Sequence, residues 1–174
     1  MAVARAMTAD PTLRDRFLDA MSATACTVSI VTTDGPHGRA GVTVSAMSSI
    51  SADTHQPTLL VCVHHLSPAA GAILKNRAFC VNVLRDDQSA VADRFAGRVP
   101  VVDGDKFAGG AWTPMASGSP RVVDPLAAFD CQLLSHQRVG THFVLVGAAD
   151  DIFVADQGAP LVYARRAYAT ATPL

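Results

Sequence analysis

Gly41-Val42-Thr43-Val44-Ser45-Ala46-Met47-Ser48-Ser49-Ile50-Ser51 is rich in β-branched and small residues and contains no proline. It predicts one strand that begins near Ala40 and runs to Ser51. Side chains along a strand alternate between its two faces. Thr43, Ser45, Met47, Ser49 and Ser51 therefore share one side, and Val44, Ala46, Ser48 and Ile50 the other. One face is a row of hydroxyls interrupted only by Met47. It reads either as the solvent side of an edge strand or as the wall of a groove. In a groove, small side chains would let a flat aromatic ring approach the backbone, with hydroxyls and amides serving its polar edge and a phosphate. The pattern alone leaves both readings open.

Outward from this stretch the chain is mostly strand. Cys26–Thr33 precedes it, ending at the turn signal Asp34-Gly35-Pro36. After a polar loop, Ala52 to Gln56, come an apolar strand over Leu59–Val63 and another over Phe79–Leu84. The last third predicts strands over Ala127–Arg138, His142–Val154 and Pro160–Tyr168. Helices are few and short. The first covers about 11–22, starting at Asp10-Pro11-Thr12 with Pro in its first turn and Leu13, Phe17, Leu18 and Met21 at helical spacing. A second opens at Ser67-Pro68 and runs through Lys75, and a third spans Asp86–Phe95. Gly97 to Gly118 is an irregular excursion with a strand-like piece at Trp112. Without βαβ alternation or repeats, the arrangement predicts a mainly β fold with short helices, an antiparallel barrel that is closed or partly closed. A single domain is expected over 1–174, with the barrel at about 26–168.

Composition narrows the function. A net charge of −1 speaks against a nucleic-acid partner, and 49% hydrophobic with 17% charged residues favours burial of part of the surface in an oligomer. Apolar runs fall short of the ~20 residues a membrane helix needs, and Met1 to Pro11 lacks the apolar centre of a signal peptide. Cys26, Cys62, Cys80 and Cys131 have no CxxC spacing and read as free thiols in a reducing, cytoplasmic setting. There is no GxGxxG after a strand, no GxxxxGK[ST], no HExxH and no GxSxG. No metal site is expected: His64 and His65, adjacent on a strand, would point to opposite faces.

Several residues remain as candidates. Ser67-Pro68 would offer a helix N-terminus to a phosphate, or serve as a simple cap. In Val139-Gly140-Thr141-His142 the imidazole could hold a carboxamide, or be an ordinary surface histidine. Arg165-Arg166 with Tyr163 and Tyr168 could close over a ligand or form a barrel rim or dimer contact. Phe107 and Trp112 read as core plugs or parts of a lid.

Taken in order, certain stretches resemble the flavin reductase family with the split-barrel, FMN-binding type of fold. They are Ile30–Pro36 with Gly38–Gly41, Thr43 to Ser51, Pro57–Cys62, Phe79–Leu84, Lys106-Phe107, Phe129–Cys131, Val139–His142 and Tyr163–Tyr168. The likeness extends from Phe17 to Tyr168 and is greatest to the reductase partners of 4-hydroxyphenylacetate 3-monooxygenase and of the pyrimidine-utilisation monooxygenase. It implies a homodimer that binds FMN or FAD, takes hydride from NADH or NADPH, and supplies reduced flavin to a flavin-dependent oxygenase. It further implies that Thr43, Val44, Ser45, Ala46, Ser48 and Ser49 contact the flavin, with Ser67 at the phosphate and Phe107 and Tyr168 also in the site. His142 is implied on the nicotinamide side as the catalytic residue. The chain departs from the family at Gln56-Pro57, where Pro-Pro is usual, and at His64-His65-Leu66, where an asparagine is often found. Thr141 replaces an aspartate common in the wider family.

Related activities are also weighed. One is a corrinoid reductase acting on a cob(II)yrinate diamide-type substrate through bound flavin. Another is a flavin-binding module without catalysis. A pyridoxamine-phosphate-oxidase-like enzyme ranks below these, because Lys75 and Lys106 are the only lysines available for a phosphate clamp.

Overall fold

The computed structural model describes residues 12–172. Helix α1, Leu13–Ser22, is closed by a capping box in which the Asp15 N–H donates to Thr12 Oγ1 (3.2 Å) and the Thr12 N–H to Asp15 Oδ2 (3.1 Å). The cap is thus Thr12, and Asp10 and Pro11 lie outside the described residues. The apolar side of α1 is uncovered, Leu13 being 80% and Phe17 62% exposed. Arg166 pairs with Asp19, and the Arg165 N–H donates to the Ser22 carbonyl, so the helix is held at its C-terminal end.

Among the described residues twelve strands follow, all in antiparallel pairs: β1 Cys26–Thr27, β2 Ser29–Thr33, β3 Ala40–Val44, β4 Met47–Ser51, β5 Thr58–His64, β6 Ala78–Val83, β7 Trp112–Pro114, β8 Pro120–Val122, β9 Ala127–Val139, β10 His142–Val154, β11 Leu161–Ala164 and β12 Ala167–Thr170. Seven form the main sheet in the order β3-β2-β6-β9-β10-β5-β4. Helix α2 is Pro68–Asn76, and α3, Ser89–Phe95, continues a 3₁₀ turn at Asp86–Gln88.

Three predicted strands are divided. Cys26–Thr33 breaks at Val28, whose N–H donates to Leu161 while its carbonyl accepts from Leu84. The chain thereby leaves the small β1-β11-β12 sheet and enters the main one. Pro160–Tyr168 is a hairpin with Arg165 and Arg166 at φ 50° and 61°. Such a turn normally uses Gly or Asn, so its sequence gives no warning. The third division decides the architecture: Ala40–Ser51 bends at Ser45-Ala46. Its halves, β3 and β4, are the two opposite edges of the main sheet. The Ala46 carbonyl accepts from the Cys62 N–H of β5 (3.1 Å), which fixes the bend. One segment therefore carries both margins, and the sheet curls into a barrel split along β3.

Every residue of β2 and β6 is buried. Both faces of β2 are covered, Val31 lying in one cluster with Val61, Val63, Phe79, Val81 and Leu145. Ile30 lies in another with Leu84, Phe95, Phe107 and Leu161. At 25–30 cal/mol per Å² of apolar surface, each large side chain buried this way stabilises the fold by roughly 1.5–3 kcal/mol. Gly41 permits the contact of β3 with α3, because a Cβ there would lie 2.6 Å from the Phe95 ring. Two buried polar side chains, Asn82 and Asp130, are paired across the fold. Asn82 accepts from the Val122 N–H (2.8 Å) and donates to the Ile30 carbonyl (3.1 Å), while Asp130 accepts from the Ser117 hydroxyl and N–H. These bonds bring the Gly97–Gly118 excursion and the β7–β8 hairpin back onto the barrel.

Candidate functional site

A cleft of about 480 Å³ lies along the split. Val42 to Ala46 form one wall, Cys62 and His64 of β5 another, and Val139, His142 and Val144 of the β9–β10 hairpin the third. Ser45 and Ala46 are exposed at the bend, where small side chains leave the backbone accessible. The Thr43 hydroxyl is committed to structure, donating to the Ala92 carbonyl at 2.7 Å.

The bend overturns the predicted row of hydroxyls. Ser48 and Ser49 do not line this cleft: the Ser48 hydroxyl donates to the Ser49 carbonyl (3.2 Å). Ser49 instead borders a separate apolar hollow of about 230 Å³ with Met47, Pro57, Phe129 and Ile152. Alternation holds only within an unbroken strand, and the break at Ser45-Ala46 sends the two halves to different sides.

The hairpin turn is two residues long, with Gly140 at φ 57°, a conformation suited to glycine. His142 opens β10 directly across from His64, the last residue of β5. Their rings meet edge to face with centroids 5.0 Å apart, and His65 stacks on His64 at 4.9 Å. The expectation that His64 and His65 diverge fails because His65 lies beyond the end of the strand. Its N–H and Nδ1 both approach the Thr141 carbonyl at 2.9 Å, so Nδ1 is the protonated nitrogen there. Leu66 N–H donates to His64 Nδ1 (3.2 Å), and Thr141 Oγ1 lies 3.0 Å from His142 Nδ1. Desolvation, followed by the charges of His65, His142 and Arg138, holds His64 below the usual histidine range.

Two smaller hollows flank the cleft along β3. At the Arg39–Gly41 end, one of about 150 Å³ is bounded by Arg39, Pro68, Lys106 and Phe107. The Arg39 guanidinium lies 4.1 Å over the Phe107 ring, and Lys106 Nζ donates to the Phe95 carbonyl at 2.9 Å. Phe107 itself is a buried core residue that shows this hollow only its rim. Ser67 caps α2 by backbone position only, without a side-chain hydrogen bond, and Pro68 is the residue that borders the hollow. The other hollow, about 160 Å³, joins Thr43–Ser45 to Arg98, Tyr163 and Tyr168. Tyr168 donates to Asp93 at 2.8 Å, and Arg98 donates to the same carboxylate at 3.1 Å. Burial, with the Asp93 hydrogen bond second, pushes Tyr168 up to about 12.

The structure thus brings Thr43, Val44, Ser45, Ala46 and His142 together, with Tyr168 and Phe107 in the adjoining hollows. It leaves Ser48 and Ser49 elsewhere. Cys62, His64, Arg39 and Arg98 were not anticipated as neighbours of the cleft. Only the unusual His64-His65 pair hinted at one of them.

Comparison with known proteins gives a consistent result. The flavin reductase like domain matches residues 21–172. A protein of Methylorubrum extorquens, "FMN reductase (NADH) RutF 1", is 42% identical over 154 residues, covering 88% of this chain and 75% of that one. Among solved structures, a putative flavin reductase from Haemophilus somnus superposes with a TM-score of 0.82 at 37% identity, covering 90% of this chain and 97% of the other. Nitrilotriacetate monooxygenase component B from Mycobacterium thermoresistibile gives 0.83 at 30% identity, covering 92% and 87%.

Proposed function

The chain belongs to the flavin reductase like family, and from that premise we propose that it is an NADH-dependent FMN reductase working as a single domain. The observation that carries this reading is the cleft that gathers Thr43–Ala46 and His142 across the split. Its residues fit a flavin. The cleft is broad, its walls at Ser45 and Ala46 are small, and Arg39, Lys106 and the α2 N-terminus border the hollow at one end, as an anionic phosphate requires. FMN and NADH follow the name of the Methylorubrum relative. The component B likeness supports delivery of reduced flavin to a partner oxygenase.

A bound flavin supplies the hydride acceptor, so the protein needs neither nucleophile nor strong base. Its contribution is position. Ser45 and Ala46 leave room for close approach to the β3 backbone, while Thr43, tied to Ala92, keeps that wall rigid. His142, held on its two-residue turn, faces the space where a nicotinamide would lie and offers an imidazole nitrogen to its carboxamide. Val139 and Val144 keep that end of the cleft apolar.

We take the uncovered side of α1 to be a contact in a homodimer. Four free thiols suit a cytoplasmic protein, and no helix among the described residues is long and apolar enough to cross a membrane. The deciding experiment is NADH oxidation by the purified protein with FMN, FAD and riboflavin in turn. Oxidation that depends on added FMN supports the proposal. Absence of flavin-dependent oxidation would exclude it.

A further inference from the structure

We infer that His64 is a positioning residue for His142, holding that imidazole at the mouth of the cleft. The inference rests on the proposed reading of His142 as the nicotinamide-side residue. The two histidines are directly opposed in the β5–β10 register. Their rings pack edge to face at 5.0 Å and 83°, an arrangement in which the edge of one aromatic ring meets the electron-rich face of the other. His142 is otherwise exposed, in a hairpin whose residues from Leu134 onward are mostly exposed, and Thr141 Oγ1 is its side-chain hydrogen-bond partner. A side chain so placed is free to rotate away from the cleft unless something packs against it.

His64 is suited to that task because it is fixed on several sides. It ends a strand, its Nδ1 accepts the Leu66 N–H, and the ring of His65 covers its other face at 4.9 Å. His65 is anchored to the Thr141 carbonyl. The turn that presents His142 and the loop that presents His64 are therefore linked through both backbone and side chains. With Nδ1 accepting, a neutral His64 carries its proton on Nε2. Its depressed basicity keeps it in that neutral form, so His142 packs against an uncharged ring rather than a like charge.

The test uses the whole chain in five forms: wild type, His64→Ala, His64→Phe, His142→Ala and the double alanine variant that closes the cycle. His64→Ala is expected to raise the KM for NADH about two- to tenfold, the range of one aromatic edge-to-face contact. The KM for FMN should change less than that for NADH, because His64 borders the cleft but acts on the nicotinamide side through His142. His64→Phe keeps the packing and should restore most of the loss. The double variant should be no worse than His142→Ala alone, since the two residues act as one unit. Independently of kinetics, the His142 ring resonance in the NMR spectrum should move on His64→Ala and return toward its original position with His64→Phe. An unmoved resonance, additive kinetic losses, or an effect confined to FMN would each overturn the inference. If His142→Ala itself leaves NADH kinetics unchanged while the resonance still responds to His64, the packing role stands and the nicotinamide assignment of His142 falls.

Discussion

At the scale of single residues, the chemistry asked of this protein is light, and it falls on few atoms. His142 is presented by a turn that Gly140 makes possible and is fully accessible from the cleft. Replacing it by alanine should slow flavin reduction or raise the KM for NADH by about ten- to a hundredfold, the scale of one lost orienting contact in a near-attack arrangement. Flavin affinity should stay nearly constant. Stopped-flow reduction with NADH, alongside flavin titration, separates the two quantities, and an unchanged reduction rate would remove His142 from the site. Ser45 lies at the opposite extreme: on the proposed reading its smallness matters more than its hydroxyl.

Elements carry the next level of organisation, and β5 shows how. Its burial alternates along Thr58–His64, placing Cys62 and His64 toward the cleft and Val61 and Val63 in the core. Cys62 is therefore a built-in reporter. Burial pushes its thiol up, but far less completely than for Cys80 and Cys131, the latter reaching about 12. A thiol reagent near pH 8 should modify Cys26 readily, Cys62 slowly, and Cys80 and Cys131 only on unfolding. Bound FMN should protect Cys62 and leave Cys26 untouched. Equal protection of both thiols would argue against flavin in this cleft. On β9, Asp130 is 1% exposed, and burial raises its carboxyl against the opposing hydrogen bonds from Ser117. A carboxyl with a raised folded-state pKa contributes stability below the unfolded value of about 4 and loses it as pH rises through the folded one. The melting temperature of Asp130→Asn relative to wild type should thus increase between pH 4 and 7. A difference that falls over that range would contradict the assigned direction.

Legibility in the sequence also divides by element. β10, His142–Val154, begins and ends where periodicity predicts, and β9 is one residue longer than expected, because long apolar runs between turn-formers leave little ambiguity. The bend at Ser45-Ala46 was invisible for the opposite reason. Neither residue breaks a strand, and the bond that holds the bend comes from Cys62, a residue distant in sequence. That one event carried Ser48 and Ser49 away from the cleft that Thr43 to Ala46 line. The turn at Arg165-Arg166 was equally hidden, since arginine carries no preference for positive φ. His64 became a neighbour of His142 only once the β5–β10 register was known.

For the molecule as a whole, the outer surface is as informative as the cleft. Leu13, Phe17, Leu18 and Met21 line one side of a helix that buries none of its residues. An apolar face of that kind normally finds a partner. If the partner is a second copy, Phe17→Glu should shift the protein toward monomer in sedimentation equilibrium. Far-UV circular dichroism should remain unchanged, because Phe17 adds nothing to the core of its own chain. A protein that is already monomeric at working concentration would refute the dimer.

The continuity of β3 with β4 has a mechanical consequence. A sheet whose two free margins are cut from one ribbon behaves like a band fastened by a buckle at Ser45-Ala46. Widening the mouth of the cleft must flatten the band, and flattening strains the fastening made by Ala46 and Cys62. A molecule wedged against Thr43 to Ala46 therefore pushes on both margins at once, and the curvature of the whole wall answers to what the cleft holds.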